Sequence, residues 1–214
     1  MLPICTLRFK IAICSFSLHL RSVAMTRFWT VCLVLIAIAL LGASSATAQP
    51  EELPLGSALP TIDGSLQDVT DGSVSVQDLT GSAGTVFLFW SNQCPWVDKY
   101  EDRMQDLVST FSGQGIRFVL VNANDAGSFP QESAQASRQQ AESASYAATY
   151  VKDANAALAR ALGASRTPHA FVFDAQNTLV YTGTIDDSPG DPSSVSKTYL
   201  RDALNAIIAG NDVQ

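Results

Sequence analysis

Residues 84–101, GTVFLFWSNQCPWVDKYE, constrain the fold more than any other stretch of the chain. Residues 85–90 are an apolar run without polar alternation, the pattern of a strand covered on both faces. Ser91, Asn92 and Gln93 form a polar turn. Pro95, with a fixed φ and no N–H, suits the first position of a helix. Val97, Tyr100, Met104, Leu107, Val108 and Phe111 then recur at three- and four-residue steps, which predicts one buried helical face. Cys94 is thereby delivered by a strand to the start of a helix. Unpaired backbone N–H groups and the helix dipole at such a place favour a thiolate, the nucleophilic form of cysteine.

The rest of the chain reads around that stretch. Residues 56–84 carry turn signals at Asp63-Gly64, Asp71-Gly72 and Gly81, and predict a small β-hairpin region. Residues 116–121 predict a second buried strand, 148–151 a weak one, and 155–162 a short helix stopped by Gly163. Residues 132–146, rich in Ala, Gln and Ser with little apolar face, predict an exposed helix or a flap. Residues 170–173 and 178–181 predict a hairpin, and an Asp-, Pro- and Gly-rich loop follows. A final helix is expected to present Val195, Tyr199, Leu200, Ala203, Leu204, Ile207 and Ile208 on one face. The order predicts an α/β domain, a central mixed β-sheet flanked by helices.

Two motifs carry a family resemblance. FWSNQCPW resembles the active-site turn of the thioredoxin-like redoxins, the group that includes the thiol-specific antioxidant and alkyl hydroperoxide reductase relatives. RTPHAFVFDAQNTLVYTG, downstream, resembles the cis-proline loop and following hairpin of the same fold, and the likeness runs over residues 56–213. The resemblance implies a thioredoxin-like fold with Cys94 as the active thiol and a cis bond before Pro168 whose loop faces it. It places Thr167 and Pro168, with Ser91, Pro95 and Trp96, at the substrate, and it sets Arg166 where some relatives carry a second cysteine. A permanent cation there suits holding a thiolate or binding a sulfenate or peroxide oxygen; the ordinary reading is a solvated loop arginine, and the two stand level.

The chain departs from its relatives in three places. The dithiol enzymes have Cys-x-x-Cys, and here Val97 stands in the second position. The peroxide-reducing relatives have Pro-x-x-x-Thr/Ser-x-x-Cys; Ser91 matches the hydroxyl, but Phe87 replaces the proline. Thioredoxins often bury an acid six residues before the cysteine, where this chain has Leu88.

The first 48 residues read as separate from the domain. Residues 28–43 are a sixteen-residue apolar run after Arg27, followed by small residues ending Ala46-Thr47-Ala48, the layout of a secretory signal peptide cleaved before Gln49. An uncleaved anchor is the alternative, although the run is short for a bilayer. Residues 25–48 form that signal, residues 1–24 read as a gene-model extension with translation starting at Met25, and residues 49–55 as a short acidic linker. The expected location is periplasmic or extracellular.

Beyond residue 48 the chain has nine basic and twenty acidic residues, a net charge of −11 against −7 for the whole. So acidic a domain is a poor partner for nucleic acid or an anionic membrane. Of Cys5, Cys14, Cys32 and Cys94, only the last survives cleavage, so no internal disulfide can form. One cysteine and one histidine, His169, are too few for a copper site, and neither metal nor cofactor is expected. His169 reads as a neighbour of the proline loop, Trp90 and Trp96 as one core and one rim residue, and Asp98 and Lys99 as a solvated helix face. Asp186 and Asp187 lack calcium-site spacing.

Two functions follow. The first is an exported single-thiol oxidoreductase or antioxidant that reduces a peroxide or disulfide substrate, a protein disulfide partner among them, and is regenerated by an external thiol reductant. The second is a redox-inactive binding module of the same fold that holds a peptide or protein partner at the cis-proline groove. The retained Cys94 favours the first and the missing second cysteine favours the other.

Overall fold

The computed structural model describes residues 51–70 and 72–214. The expected signal peptide and extension lie outside the described residues. Seven strands form one mixed sheet: β1 (Leu66–Asp68), β2 (Gly72–Val74), β3 (Gly84–Phe89), β4 (Ile116–Asn122), β5 (Thr149–Lys152), β6 (His169–Asp174) and β7 (Leu179–Gly183). Their order across the sheet is β2-β1-β5-β4-β3-β6-β7. The helices are α1 (Pro95–Phe111), α2 (Ala134–Ser143), α3 (Ala157–Leu162) and α4 (Tyr199–Ala209). No helix among the described residues is long and apolar enough to cross a membrane.

β3 is central because both of its faces are apolar. Val86, Leu88 and Trp90 point into one core, shared with Val97, Tyr100, Met104, Leu107 and Phe111 of α1 and Leu200 and Leu204 of α4. Phe87 and Phe89 point into the other, with Leu158 and Leu162 of α3 and the aromatic rings of β6. There Phe87 meets Phe173 edge-on at 5.9 Å between centroids, and Phe89 meets Phe171 at 5.7 Å. The period-2 geometry of a strand makes this two-sided division automatic.

Strand direction then gathers the functional groups at one end. β3 runs parallel to β4, and β4 parallel to β5, so Phe89, Asn122 and Lys152 finish together. β6 runs antiparallel to β3 and pairs His169 with Phe89, so β6 begins where β3 ends. Hydrogen bonds from Trp90 N to Val121 O (2.9 Å) and Asp153 N to Asn122 O (2.9 Å) extend the pairing past the strands.

Three expectations are refined or corrected. Of the two readings of residues 132–146, the structure has the helix and not the flap: after a 3-10 turn at Pro130–Glu132, α2 is capped by the Ser133 hydroxyl and is largely exposed, but Glu132 and Ser137 are buried. Val195 lies outside the last helix, because Pro192–Ser194 forms its own 3-10 turn under an Asp191 cap and α4 begins only at Tyr199. Of residues 49–55, those described do not lead away as a linker: Leu53 N donates to Leu162 O (3.0 Å), and Glu52 reaches His169 and Thr182.

Phe87→Ala tests the central role of β3. The ring is fully buried, so its removal should cost roughly 3–5 kcal/mol of stability. A urea titration followed by circular dichroism should show the midpoint drop with little change in slope; an unchanged midpoint would contradict the packing described.

Candidate active site

Cys94 occupies the N-cap of α1 with extended backbone (φ −79°, ψ 118°), and Pro95 takes the first helical position. Its carbonyl accepts the N–H groups of Val97 (2.9 Å) and Asp98 (3.3 Å). The side chain is partly exposed, and Cys94 is the free cysteine of the described residues. The Thr167–Pro168 bond is cis, and the Cys94 thiol donates to Thr167 O at 3.4 Å. The sheet register explains this contact across 73 residues: Thr167 and Pro168 precede β6, whose first residue lies opposite the last of β3.

The other expected site residues divide. Pro95 and Trp96 are exposed beside the thiol; Trp96 is 50% exposed, with the Lys99 ammonium 5.0 Å from its ring centroid. Trp90 is fully buried, so one indole is core and one is rim. Arg166 is exposed on the loop and makes no side-chain hydrogen bond or ion pair with another described residue; its charge acts on Glu52, His169 and Tyr181. Ser91 is buried, with its hydroxyl committed to Glu132 at 2.6 Å rather than to the thiol. Val97, where dithiol enzymes carry a second cysteine, is 1% exposed and packs in the core.

His169 is buried against Phe171, with ring centroids 4.5 Å apart. Its Nε2 lies 3.3 Å from Glu52 Oε1 and 3.4 Å from Thr182 Oγ1. Burial, assisted by Arg166, pushes its pKa below 6.5 against the pull of Glu52, so the ring is neutral at pH 7. Among the described residues no group of three His, Cys, Asp or Glu side chains is placed to hold a metal ion.

Sequence reasoning missed Glu132. It is 3% exposed and sits directly behind the turn that leads into Cys94. Its carboxylate accepts from Ser91 Oγ (2.6 Å), Asn92 N (3.0 Å), Gln93 N (3.2 Å) and Asn122 Nδ2 (2.7 Å). Burial pushes its pKa up, but these bonds and Asn124 outweigh burial and hold the carboxyl below its ordinary 4.5. The surrounding groups are also satisfied. Asn92 Nδ2 donates to Gln131 O (2.7 Å) and Ser137 Oγ (3.0 Å), and Tyr150 Oη donates to Asn92 Oδ1 (2.7 Å). Lys152 Nζ donates to Asn122 Oδ1 (3.1 Å) and Asn124 O. Burial lowers the Lys152 pKa from 10.5, opposed by the charges of Glu132, Asp153 and Asp125. A buried network whose members are all paired fixes one geometry.

Asp186 was also missed. It is buried and accepts from Tyr100 Oη (2.9 Å) and Arg103 Nη1 (2.6 Å), tying the loop after β7 to α1. Asp187 instead receives the backbone of Ser196 (2.9 Å) and Lys197 (3.0 Å).

Comparison with known proteins shows the family and the fold. The AhpC/TSA family model matches residues 55–182. The chain is 33% identical to an uncharacterized conserved protein from Geobacillus kaustophilus, with a TM-score of 0.70, covering 75% of this chain and 85% of that one. A hypothetical protein from Sinorhizobium meliloti 1021 is 31% identical with a TM-score of 0.70, covering 77% and 89%. A peroxidoxin from Mycobacterium tuberculosis shares the fold at 16% identity and a TM-score of 0.56, covering 74% and 98%. No curated protein matches the chain.

Two variants test the role of Glu132. Glu132→Ala strands several buried donors and should cost at least about 1–3 kcal/mol. Glu132→Gln isolates the charge. A folded pKa below 4.5 contributes stability that is present above pH 4.5 and lost as pH falls through the lowered value. Urea midpoints measured from about pH 6 down to pH 3 should therefore converge for wild type and Glu132→Gln in acid. Parallel curves would show that the charge contributes nothing.

Proposed function

From the premise that the chain belongs to the AhpC/TSA family of thioredoxin-like redox proteins, we propose that it is a single-thiol oxidoreductase that reduces a peroxide at Cys94 and is regenerated by external thiols. One observation carries this reading: a free, partly exposed cysteine at a helix start, faced at 3.4 Å by the carbonyl before a cis-proline.

The chemistry needs three steps. The Cys94 thiolate attacks the peroxide O–O bond; sulfur gains one oxygen as sulfenic acid, and the leaving alkoxide takes a proton to become the alcohol. An external thiol attacks the sulfenic sulfur, forming a mixed disulfide and releasing water. A second thiol attacks the mixed disulfide, which restores the Cys94 thiol and releases the external disulfide. The sum is one peroxide and two thiols converted to an alcohol, water and one disulfide. Pro95 and Trp96 border the sulfur, and the backbone at Thr167 offers groups to an extended partner. The protein works outside the cytoplasm once residues 1–48 are removed.

The protein comprising residues 49–214 should consume hydroperoxide in the presence of excess dithiothreitol, and Cys94→Ser should abolish turnover. Dimedone should label Cys94 alone after mild peroxide, read by mass spectrometry. Absence of both an adduct and a covalent dimer across a peroxide series would favour the peptide-binding module instead. N-terminal sequencing of exported protein should begin at Gln49; a start within residues 1–48 would reject the cleavage site.

A further inference from the structure

The loop that faces Cys94 also forms one wall of a cleft of about 410 Å³. Phe89 and Val121, at the ends of β3 and β4, lie at its floor, and the small side chains of Ala156, Ala159 and Ala164 leave the space open. Arg160 enters from the last turn of α3, and Arg166 and Thr167 from the proline loop. The walls are fixed. Asp153 accepts the N–H groups of Ala157 (2.8 Å) and Ala159 (2.9 Å), which holds the start of α3, and Gly163 ends that helix in the left-handed region at φ +72°.

The charge of this cleft runs against that of the molecule. Twenty acidic residues face nine basic ones beyond residue 48, yet two of the nine line one cleft and no acidic residue does. Most other cations are engaged. Arg103, Arg138 and Arg201 pair with Asp186, Glu142 and Asp106 at 2.6, 2.8 and 2.5 Å. Lys152 is held in the Glu132 network, Arg117 donates to Asp78 O (3.1 Å), and Lys99 lies over Trp96. Arg160 and Arg166, both exposed, make no side-chain hydrogen bond or ion pair with another described residue. Glu52 feels the charge of Arg166, but its carboxylate is taken by Thr182 and His169.

We propose that this cleft binds the carboxylate of a small acidic reactant of Cys94. The apolar floor takes the carbon chain, and the two guanidinium forks donate to the carboxylate oxygens, a geometry arginine matches bidentately. The inference rests on Cys94 as the working thiol, and it gives that thiol a preference for anionic partners.

Paired alkylating agents test the preference without any redox turnover. The Cys94 thiolate displaces iodide from iodoacetate or iodoacetamide, forming a carbon–sulfur bond in either case; only the charge of the reagent differs. The iodoacetate-to-iodoacetamide rate ratio of wild type should exceed that of Arg160→Gln, and separately that of Arg166→Gln, by about two- to fivefold at low salt, the size of an exposed ion pair. Both arginines are exposed, so the variants keep the fold. Lys197→Gln, which removes an exposed cation elsewhere, should keep the wild-type ratio. Equal ratios in wild type and both arginine variants, or a ratio that falls as much in Lys197→Gln, would overturn the proposal. The source of the carboxylate is read in two further arms. Faster reduction of oxidised protein by 3-mercaptopropionate than by 2-mercaptoethanol, lost in Arg160→Gln, assigns the cleft to the thiol. Faster oxidation by linoleic acid hydroperoxide than by its methyl ester, lost in the same variant, assigns it to the peroxide. Failure to turn over peroxide would reject the oxidoreductase reading and leave the alkylation ratio standing as its own result.

Discussion

The antiparallel pairing of β6 with β3 is the constraint on which the site depends. Phe89 opposite His169 fixes where the proline loop begins relative to the strand that launches the cysteine turn. A slip of one residue would swing Phe171 and Phe173 to the opposite face, into the space packed by Ala170 and Val172, and carry Thr167 away from the sulfur. The ring contacts of Phe87 with Phe173 and of Phe89 with Phe171 oppose that slip. The site's long-range geometry is thus a by-product of core packing, and no local sequence signal could specify it alone.

A second theme is the relocation of buried charge. Leu88 lies where thioredoxins often bury an acid, and it packs in the core as a hydrocarbon. A buried carboxylate is present all the same, brought by Glu132 from the segment after β4. Its four neighbouring donors grip residues 91–93 and Asn122, so it acts on the backbone entering Cys94 and not on the sulfur itself. An isolated buried ion would be costly, but one with every lone pair engaged and Lys152 nearby is tolerated and rigidifies its surroundings.

Legibility in the sequence followed the strength of the periodic signal. β3 and the buried face of α1 were readable from apolar spacing, and the Cys-Pro turn and Thr167-Pro168 from their motifs, because those features are local. Glu132 was hidden because its burial arises from a 3-10 turn between polar residues, with partners 10 to 41 positions away. Asp186 was hidden likewise: its partners Tyr100 and Arg103 lie more than eighty positions earlier. The Arg160–Arg166 cleft needs α3 and the proline loop placed side by side, which spacing does not reveal. Polar residues with long-range partners leave no periodicity, whereas apolar faces do.

The two tryptophans that flank the cysteine have a practical consequence. After residue 48 the chain contains only Trp90 and Trp96, one on each side of the Cys94 turn. Trp90 is sealed in the core and Trp96 is half-open to water. Indole emission shifts with solvent exposure, so a protein of residues 49–214 carries two built-in optical reporters with different loyalties. A blue-side component from Trp90 follows the integrity of the core, and a red-side component from Trp96 follows whatever arrives at, or attaches to, the sulfur. Unlabelled protein can therefore be watched in a stopped-flow cell, with occupancy of the thiol and loss of the fold separated by wavelength.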